Sequence, residues 1–139
     1  SEKLTPSMSA VVHSKVEGAR ILLSKGANPN IQLGGGNTAL HMIWSLGPFR
    51  AYELGSLLLE EGADPNIQNE SGDTPLHKAA EKGDVKIVEL LVNNNARNNI
   101  KNLAGMTPKR VAKFDEFLTV TKERFMEMKK MLSRRPGIF

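Results

Sequence analysis

The sequence predicts an all-α fold, a solenoid of stacked helix-turn-helix units with projecting hairpin-like loops. Two motifs that recur in one register support this prediction. The first is a threonine followed by proline or alanine, and its copies lie 33, 36 and 33 residues apart, at Thr5, Thr38, Thr74 and Thr107. The second is Gly-Ala-Asn-Pro-Asn at 26–30, which returns as Gly-Ala-Asp-Pro-Asn at 62–66 and as Asn-Ala-Arg-Asn-Asn at 95–99. A fixed period of this kind indicates a repeat architecture.

The third unit shows how the local sequence specifies its helices. Thr74 is placed to cap a helix, and Pro75 suits the first helical position, where its missing N–H would have no partner. This helix is expected to end at Gly83, and Asp84 is expected to cap a second helix. The second helix should stop at Asn95, because asparagine is the usual substitute for glycine in the left-handed conformation. Its predicted apolar side consists of Val85, Val88, Leu90 and Leu91.

Length and composition are those of an ordinary globular domain. The chain has 139 residues, of which 40% are hydrophobic and 24% are charged. No apolar run approaches the roughly 20 residues needed to cross a bilayer. The sequence contains no cysteine, which excludes a disulfide scaffold, thiol chemistry and cysteine-ligated zinc. We therefore expect a cytoplasmic protein without a membrane span.

The charge is unevenly distributed along the chain. Residues 1–100 contain nine Lys and Arg against eleven Asp and Glu, a net charge of −2, whereas residues 101–139 contain ten against four, a net charge of +6. A basic end on a slightly acidic body is compatible with an anionic partner and equally with a solvated surface.

The chain resembles the ankyrin repeat family, with its Gly-x-Thr-Pro-Leu-His-x-Ala-Ala and Gly-Ala-Asp-x-Asn motifs, and residues 69–101 look like one complete repeat. The resemblance implies a single domain, 1–139, with eight helices in two layers and loop fingers projecting from them. Its repeats are 1–32, a partial N-terminal cap; 33–68, with an insertion; 69–101, which is regular; and 102–139, with an insertion, the C-terminal cap.

The departures from the family pattern are concentrated in repeats 2 and 4. Repeat 2 is three residues too long, and the excess lies between Gly47 and Leu57, where we predict a longer turn between its helices. Trp44 replaces the second alanine of the Ala-Ala pair, so we expect a local rearrangement there. In repeat 4 the second helix arrives about eight residues late, with Met131 and Leu132 as the counterparts of Leu90 and Leu91.

The chemically suggestive residues favour structural roles. The resemblance implies that His41 and His77 tie neighbouring loops together by hydrogen bonds, whereas a metal site would need convergent carboxylates as well. The glycines at 34–36 lack the Lys-Ser/Thr of a phosphate-binding loop. We find no nucleophile with a base at interpretable spacing. The sequence therefore predicts no enzyme activity, no metal and no cofactor.

Six of the seven aromatic residues fall in the irregular regions of repeats 2 and 4: Trp44, Phe49, Tyr52, Phe114, Phe117 and Phe125. They either fill volume that the insertions open or form exposed anchors for a partner, and we favour packing, with Trp44 and Phe49 as the expected exceptions. In the segment 116–135, Leu118, Phe125, Met128 and Leu132 form one helical stripe, predicted to dock on repeat 3 as a cap. The alternative is an anion-binding face.

The resemblance implies a protein–protein interaction module that recognises a folded partner through its finger tips and the concave face of its first helices. In repeat 2 these positions are Asn37, Met42, Trp44, Ser45 and Leu46. In repeats 3 and 4 they are Glu70, Ser71, Asp73, Lys78, Glu81, Lys82, Leu103, Met106, Lys109 and Phe114. We expect the affinity to come chiefly from Trp44, Leu46, Leu103 and Met106.

Three further interpretations remain open at this stage. The protein could be a bacterial or viral effector, acting in a host cytosol, or an intracellular scaffold. It could bind nucleic acid or an acidic surface through its basic C-terminal helix, although we expect nucleic-acid binding to be weak. It could also be a regulatory fragment of a larger protein. The chain alone is expected to be monomeric.

Overall fold

The structure, a computed structural model, describes residues 16–112 and 122–133. Predictions on other residues lie outside this part of the chain, among them those for Thr5, Phe114, Phe117 and Leu118 and for the first helix of repeat 1. The side chains of Leu46 and Phe49 also lie outside the description.

The described residues are helical, and they contain no strand. The α-helices are α1 (Val16–Ser24), α2 (Pro48–Glu60), α3 (Pro75–Lys82), α4 (Val85–Asn93), α5 (Pro108–Val111) and α6 (Lys122–Ser133). A 3₁₀ turn at Gly34–Gly36 and a 3₁₀ helix at Ala39–Leu46 precede α2. The 3₁₀ helix is the first helix of its unit.

The helices form two layers. In the first-helix layer α3 contacts the 3₁₀ helix on one side and α5 on the other, and in the second-helix layer α1 contacts α2, α2 contacts α4, and α4 contacts α6. Three pairs join the layers: the 3₁₀ helix with α2, α3 with α4, and α5 with α6. This arrangement of neighbours confirms the predicted solenoid of helix-turn-helix units.

The helix ends of the third unit confirm the predictions from local sequence. The Thr74 hydroxyl accepts a hydrogen bond from the His77 amide at the start of α3, and Gly83 ends that helix in the left-handed conformation at φ +65°. The Asp84 carboxylate accepts from the Ile87 amide at the start of α4. Asn95 has a φ of +70°, so an asparagine takes the left-handed conformation that glycine has in the preceding units.

The core runs between the two layers. Its largest fully buried side chains come from the second, third and fourth units and include Leu40, Ile43, Leu54, Leu58, Leu76, Ile87, Leu91 and Met128. On α4, Val85, Val88 and Leu91 are buried as predicted, Leu90 is half-buried, and Ile87 is an additional core residue. On α6 the described part of the predicted stripe, Phe125, Met128 and Leu132, is buried, and the helix packs against α4 as the cap.

The second unit departs from the prediction at its extra residues. Gly47, at φ +88°, ends the 3₁₀ helix and also caps α2, which begins at Pro48. The three additional residues, together with a turn that is one residue shorter, therefore make α2 13 residues long against nine for α4, and the predicted longer turn is wrong. One glycine suffices for the turn because it adopts a conformation that other residues rarely reach.

Candidate functional site

The predicted partner-binding residues form a surface along the first-helix layer and the fingers beside it, which we call the first-helix surface. Among them, seven side chains are exposed: Ser45, Glu70, Ser71, Glu81, Lys82, Leu103 and Lys109. Six are half-buried: Asn37, Met42, Trp44, Asp73, Lys78 and Met106. The side chain of Leu46 and the whole of Phe114 lie outside the described residues. The surface thus combines freely accessible groups with groups that also support the fold.

Trp44 links the second and third units. Its indole N–H donates a hydrogen bond of 3.0 Å to Asp84 Oδ2, while Asp84 Oδ1 accepts from the Ile87 amide. Lys82 Nζ lies 5.9 Å from the centroid of the Trp44 ring, within the range of a cation–π contact. The ring is half-buried and packs against the core. Trp44 is therefore a junction between units that keeps one side open to solvent.

The two histidines join adjacent fingers, as the resemblance implies. His41 Nε2 donates to the Asp73 carbonyl at 2.8 Å, and His77 Nε2 donates to the Met106 carbonyl at 2.9 Å. In each ring Nδ1 accepts the amide N–H of the helix-capping threonine, at 3.0 and 3.1 Å, so the ring proton lies on Nε2. Both side chains are buried and used within the fold.

Burial also sets the titration of His41. Desolvation lowers the pKa of His41 below its ordinary value, and the positive charge of Lys78 lowers it further, while the hydrogen bond to the Asp73 carbonyl opposes the shift. The neutral ring is the form that this site favours. Within residues 16–112 and 122–133 no group of three His, Asp or Glu side chains could hold a metal ion.

Asparagine side chains shape the fingers of the third and fourth units, a role that the sequence analysis missed. Asn69 Oδ1 accepts from the amides of Ser71 and Asp73 at 2.9 and 3.0 Å, and Asn102 Oδ1 accepts from the amides of Ala104 and Met106, both at 3.0 Å. The signal was available, because the two asparagines are 33 residues apart. Their side chains hold the turns in one conformation.

The same asparagines connect each finger to the one before it. Asn69 Nδ2 donates to Asn37 Oδ1 and Asn102 Nδ2 donates to Asp73 Oδ1, both at 3.0 Å. Asn37 and Asp73, predicted as partner-binding residues, are thus engaged in the finger framework. Two glutamines add further links: Gln32 donates to the carbonyl of Gln68, and Gln68 donates to that of Lys101, at 3.0 and 3.1 Å.

The tips that project from this framework are open to solvent. Glu70, Ser71 and Leu103 are exposed, and Leu103 keeps 80% of its accessible surface. The Leu103 amide donates to the Ser71 carbonyl at 3.0 Å, so the backbone beneath this apolar side chain is fixed. A leucine presented in this way is a candidate anchor for a partner.

Phe125 and Tyr52, two of the aromatic residues of repeats 2 and 4, have different environments. Phe125 is buried in the cap, where it fills volume, whereas Tyr52 on α2 is 45% exposed. Tyr52 lines a groove of about 560 Å³ on the second-helix layer, together with Glu53, Lys86, Glu89, Leu90, Asn93 and Arg124. Sequence reasoning did not place a groove here, because it depends on how α2, α4 and α6 stack.

The two layers, the projecting fingers and the histidine links define a helical repeat protein. A family model described as ankyrin repeats (3 copies) matches residues 46–113, and a second, ankyrin repeats (many copies), matches residues 8–51. The chain belongs to the ankyrin repeat family, whose repeats are generally protein–protein interaction modules. No curated protein matches the chain. Among the described residues, no helix has the length and apolar character required to span a membrane.

Proposed function

We propose that the chain is a non-enzymatic interaction module that binds a folded protein through the first-helix surface. The observation that carries this proposal is the contrast between a fixed framework and exposed tips. Hydrogen bonds of Asn69 and Asn102 hold the finger turns, while Glu70, Ser71 and Leu103 beside them remain accessible. A surface that is ordered before binding loses little conformational entropy on association, which favours affinity.

Charge indicates the chemistry of the partner. The first helices of the third and fourth units contribute Lys78, Lys82, Lys109 and Arg110 to this side of the molecule, against one acidic residue of the helices, Glu81, and two of the fingers, Glu70 and Asp73. The positive charge is concentrated on the helices, which supports a partner that presents acidic groups to them, since complementary charge steers association and selects orientation. Apolar contacts at Leu103 and Met106 are proposed to supply most of the affinity.

The remaining parts of the proposal concern context. The repeat boundaries are those of the sequence analysis, at 1–32, 33–68, 69–101 and 102–139. The module is proposed to be monomeric alone, to need no cofactor, and to act in the cytoplasm as a scaffold or, in a host cytosol, as a bacterial or viral effector. Light scattering checks the mass in solution, and fluorescence imaging of the tagged protein checks the location.

The test begins with affinity capture on the immobilised full chain and identification of the bound protein by mass spectrometry. Calorimetric titration of that partner then compares Leu103→Ala with Ile21→Ala, a matched truncation of an apolar side chain on α1 that is 49% exposed. We expect Leu103→Ala to weaken binding by about 1–3 kcal/mol and Ile21→Ala to leave it unchanged. The reverse pattern would show that the partner uses the second-helix layer.

Met106→Ala provides a second measurement on the same surface. The side chain is half-buried and packs against the core, so its loss is expected to weaken binding by about 1–3 kcal/mol without unfolding the domain. Thermal melts accompany the titration. Melts that collapse while the folded fraction binds as before would identify Met106 as a core residue with no part in recognition.

A further inference from the structure

A shallow pocket at the junction of α5 and α6 combines lysines with an exposed methionine. We call it the lysine pocket. It has a volume of about 500 Å³, and its lining residues are Lys109, Met126, Lys129, Lys130 and Ser133. Met126 is 52% exposed, although it lies in a helix whose neighbouring apolar side chains are buried. The pocket therefore combines one apolar side chain with three lysines.

Helical periodicity explains why Met126 is open to solvent. Phe125, Met128 and Leu132 form the buried stripe of α6 that packs towards α4. Met126, Lys130 and Ser133 are spaced by four and three residues, so they share a different side of the same helix. Burial of the stripe directs Met126 away from the core, and the described residues leave it half uncovered.

The lysines of the pocket have no acidic counterpart in the described part of the chain. The ion pair on α6 joins Arg124 to Glu127, and no carboxylate of residues 16–112 or 122–133 lies within ion-pair distance of the three ammonium groups. Lys129 Nζ donates to the Lys109 carbonyl at 3.0 Å and lies 5.6 Å from the centroid of the Phe125 ring. Lys129 is thus held in place, and it lines the pocket together with Lys109, Lys130 and the apolar side chain of Met126.

We propose that the lysine pocket binds an acidic segment of another protein, in which an apolar side chain flanked by carboxylates packs against Met126. Charge complementarity selects this occupant, because carboxylates on either side of the apolar group would meet Lys109, Lys129 and Lys130. This inference goes beyond the proposed role of the first-helix surface, since it assigns a pocket that adjoins that surface at Lys109 and the chemistry of its ligand.

A peptide fits this pocket better than a nucleic acid does. Single-stranded nucleic acids bind by stacking bases on exposed aromatic side chains, in addition to their phosphate contacts. The aromatic residue of α6, Phe125, is buried against the core and offers no stacking platform. An apolar side chain, in contrast, removes the thioether of Met126 from water, which is favourable in proportion to the area covered.

The test measures fluorescence anisotropy of a short labelled peptide that places leucines between glutamates, titrated with the full chain at low and at moderate salt. Two further probes have matched negative charge: the same peptide with each leucine replaced by serine, and a single-stranded oligonucleotide. We expect the leucine peptide to bind at least about fivefold more tightly than either probe, with an affinity that falls as salt screens the lysines.

Three variants locate the binding site of the leucine peptide. Lys130→Gln and Met126→Gln are each expected to weaken binding by about fivefold or more, whereas Lys86→Gln, which removes an exposed lysine from α4, should leave it unchanged. All three positions are exposed, and thermal melts verify that the variants remain folded. Lys82→Glu, on the first-helix surface, is a further control that should leave binding of the leucine peptide unchanged. The lysine pocket and the first-helix surface are thus tested independently of each other.

Several results would overturn the lysine pocket as a peptide site. Equal binding of the serine peptide or the oligonucleotide would show a general anion surface, as would unchanged affinity in Met126→Gln. Absence of binding at low salt, or equal weakening by Lys86→Gln, would also exclude the pocket. Tighter binding of the leucine peptide than of the serine peptide, together with weaker binding in both Lys130→Gln and Met126→Gln, supports the lysine pocket as the site.

Discussion

The second and third units reach the same framework through different local structures. Leu40 and Leu76 are both fully buried, and His41 and His77 make hydrogen bonds of 2.8 and 2.9 Å to the next finger. Yet the first helix is a 3₁₀ helix in the second unit and an α-helix in the third, and the second helices differ in length. The framework therefore depends on core positions and links between units more than on the type of helix.

A pair of side-chain changes shows how the second unit fits. Ile43 occupies the position of Ala79 in the third unit, and Gly55 in α2 occupies that of Val88 in α4. A Cβ at Gly55 would lie 3.4 Å from Ile43 Cδ1 and 3.2 Å from Leu90 Cδ2. A large residue on the first helix is thus matched by the loss of a side chain on the second, and the volume of the core is maintained.

The largest expected effect comes from breaking this match. Ile43→Ala should lower the free energy of unfolding by about 2–5 kcal/mol, because it leaves a cavity in a fully buried site. Adding Gly55→Val, which reproduces the arrangement of the third unit, should restore part of that loss, although Gly55→Val alone is destabilising. Urea unfolding of the single and double variants measures the coupling. Additive losses would show that the two positions do not compensate each other.

The finger glycines offer a second comparison, with a somewhat smaller effect. Gly36 and Gly72 both have positive φ, but a Cβ would lie 2.6 Å from the Leu103 amide at Gly72 and 2.9 Å from the Glu70 amide at Gly36. The backbone conformation alone costs about 1–2 kcal/mol when alanine replaces glycine. We expect Gly72→Ala to be the more destabilising of the two in chemical unfolding. Equal losses would mean that conformation, rather than the contact, determines the cost.

The junction at Trp44 is expected to contribute about 1 kcal/mol. Trp44→Phe removes the hydrogen bond to Asp84 and keeps an aromatic ring in the half-buried site. Tyr52→Phe is the matched control, because the Tyr52 side chain is exposed on the second-helix layer. Circular dichroism follows the unfolding of both variants. If Trp44→Phe loses no more stability than Tyr52→Phe, the hydrogen bond of Trp44 does not stabilise the contact between the units.

The smallest effect expected is a dependence of stability on pH. Because burial lowers the pKa of His41, the unfolded chain binds a proton that the folded chain does not, so the free energy of unfolding should fall as pH drops below about 6.5. Above that pH both states are neutral at this residue and the contribution is constant. Urea unfolding of the wild type and of His41→Gln at pH values above and below about 6.5 isolates the contribution of His41 to the free energy of unfolding. An unchanged pH profile in His41→Gln would assign the dependence to other groups.

The comparison also shows which features the sequence could predict. The caps at Thr74 and Asp84 and the left-handed Asn95 depend on a few adjacent residues, so the local sequence was sufficient for them. The 3₁₀ helix and the longer α2 depend on how Ile43 and Gly55 pack across the layers, which no local pattern expresses.

For the candidate site, the sequence repeat was sufficient to locate the exposed tips Glu70 and Leu103, because each repeat contains one finger at the same position. It did not reveal that the Asn37 and Asp73 side chains are already bonded, since their partners belong to the following finger. The lysine pocket was equally hidden, because it requires Lys109 on α5 to lie beside α6.

The histidine and glutamine links give the stack a polarity. His41, His77, Gln32 and Gln68 each donate to a carbonyl of the unit that follows, so these four links point towards the C-terminal end of the array, whereas the side-chain amides of Asn69 and Asn102 donate in the opposite direction. Loss of a unit at the N-terminal end exposes carbonyl acceptors, which water readily satisfies. Loss of the unit at the C-terminal end removes the Met106 carbonyl and leaves the Nε2 proton of His77 without its acceptor in the protein. The array is therefore expected to be more sensitive to loss of its last unit than of its first.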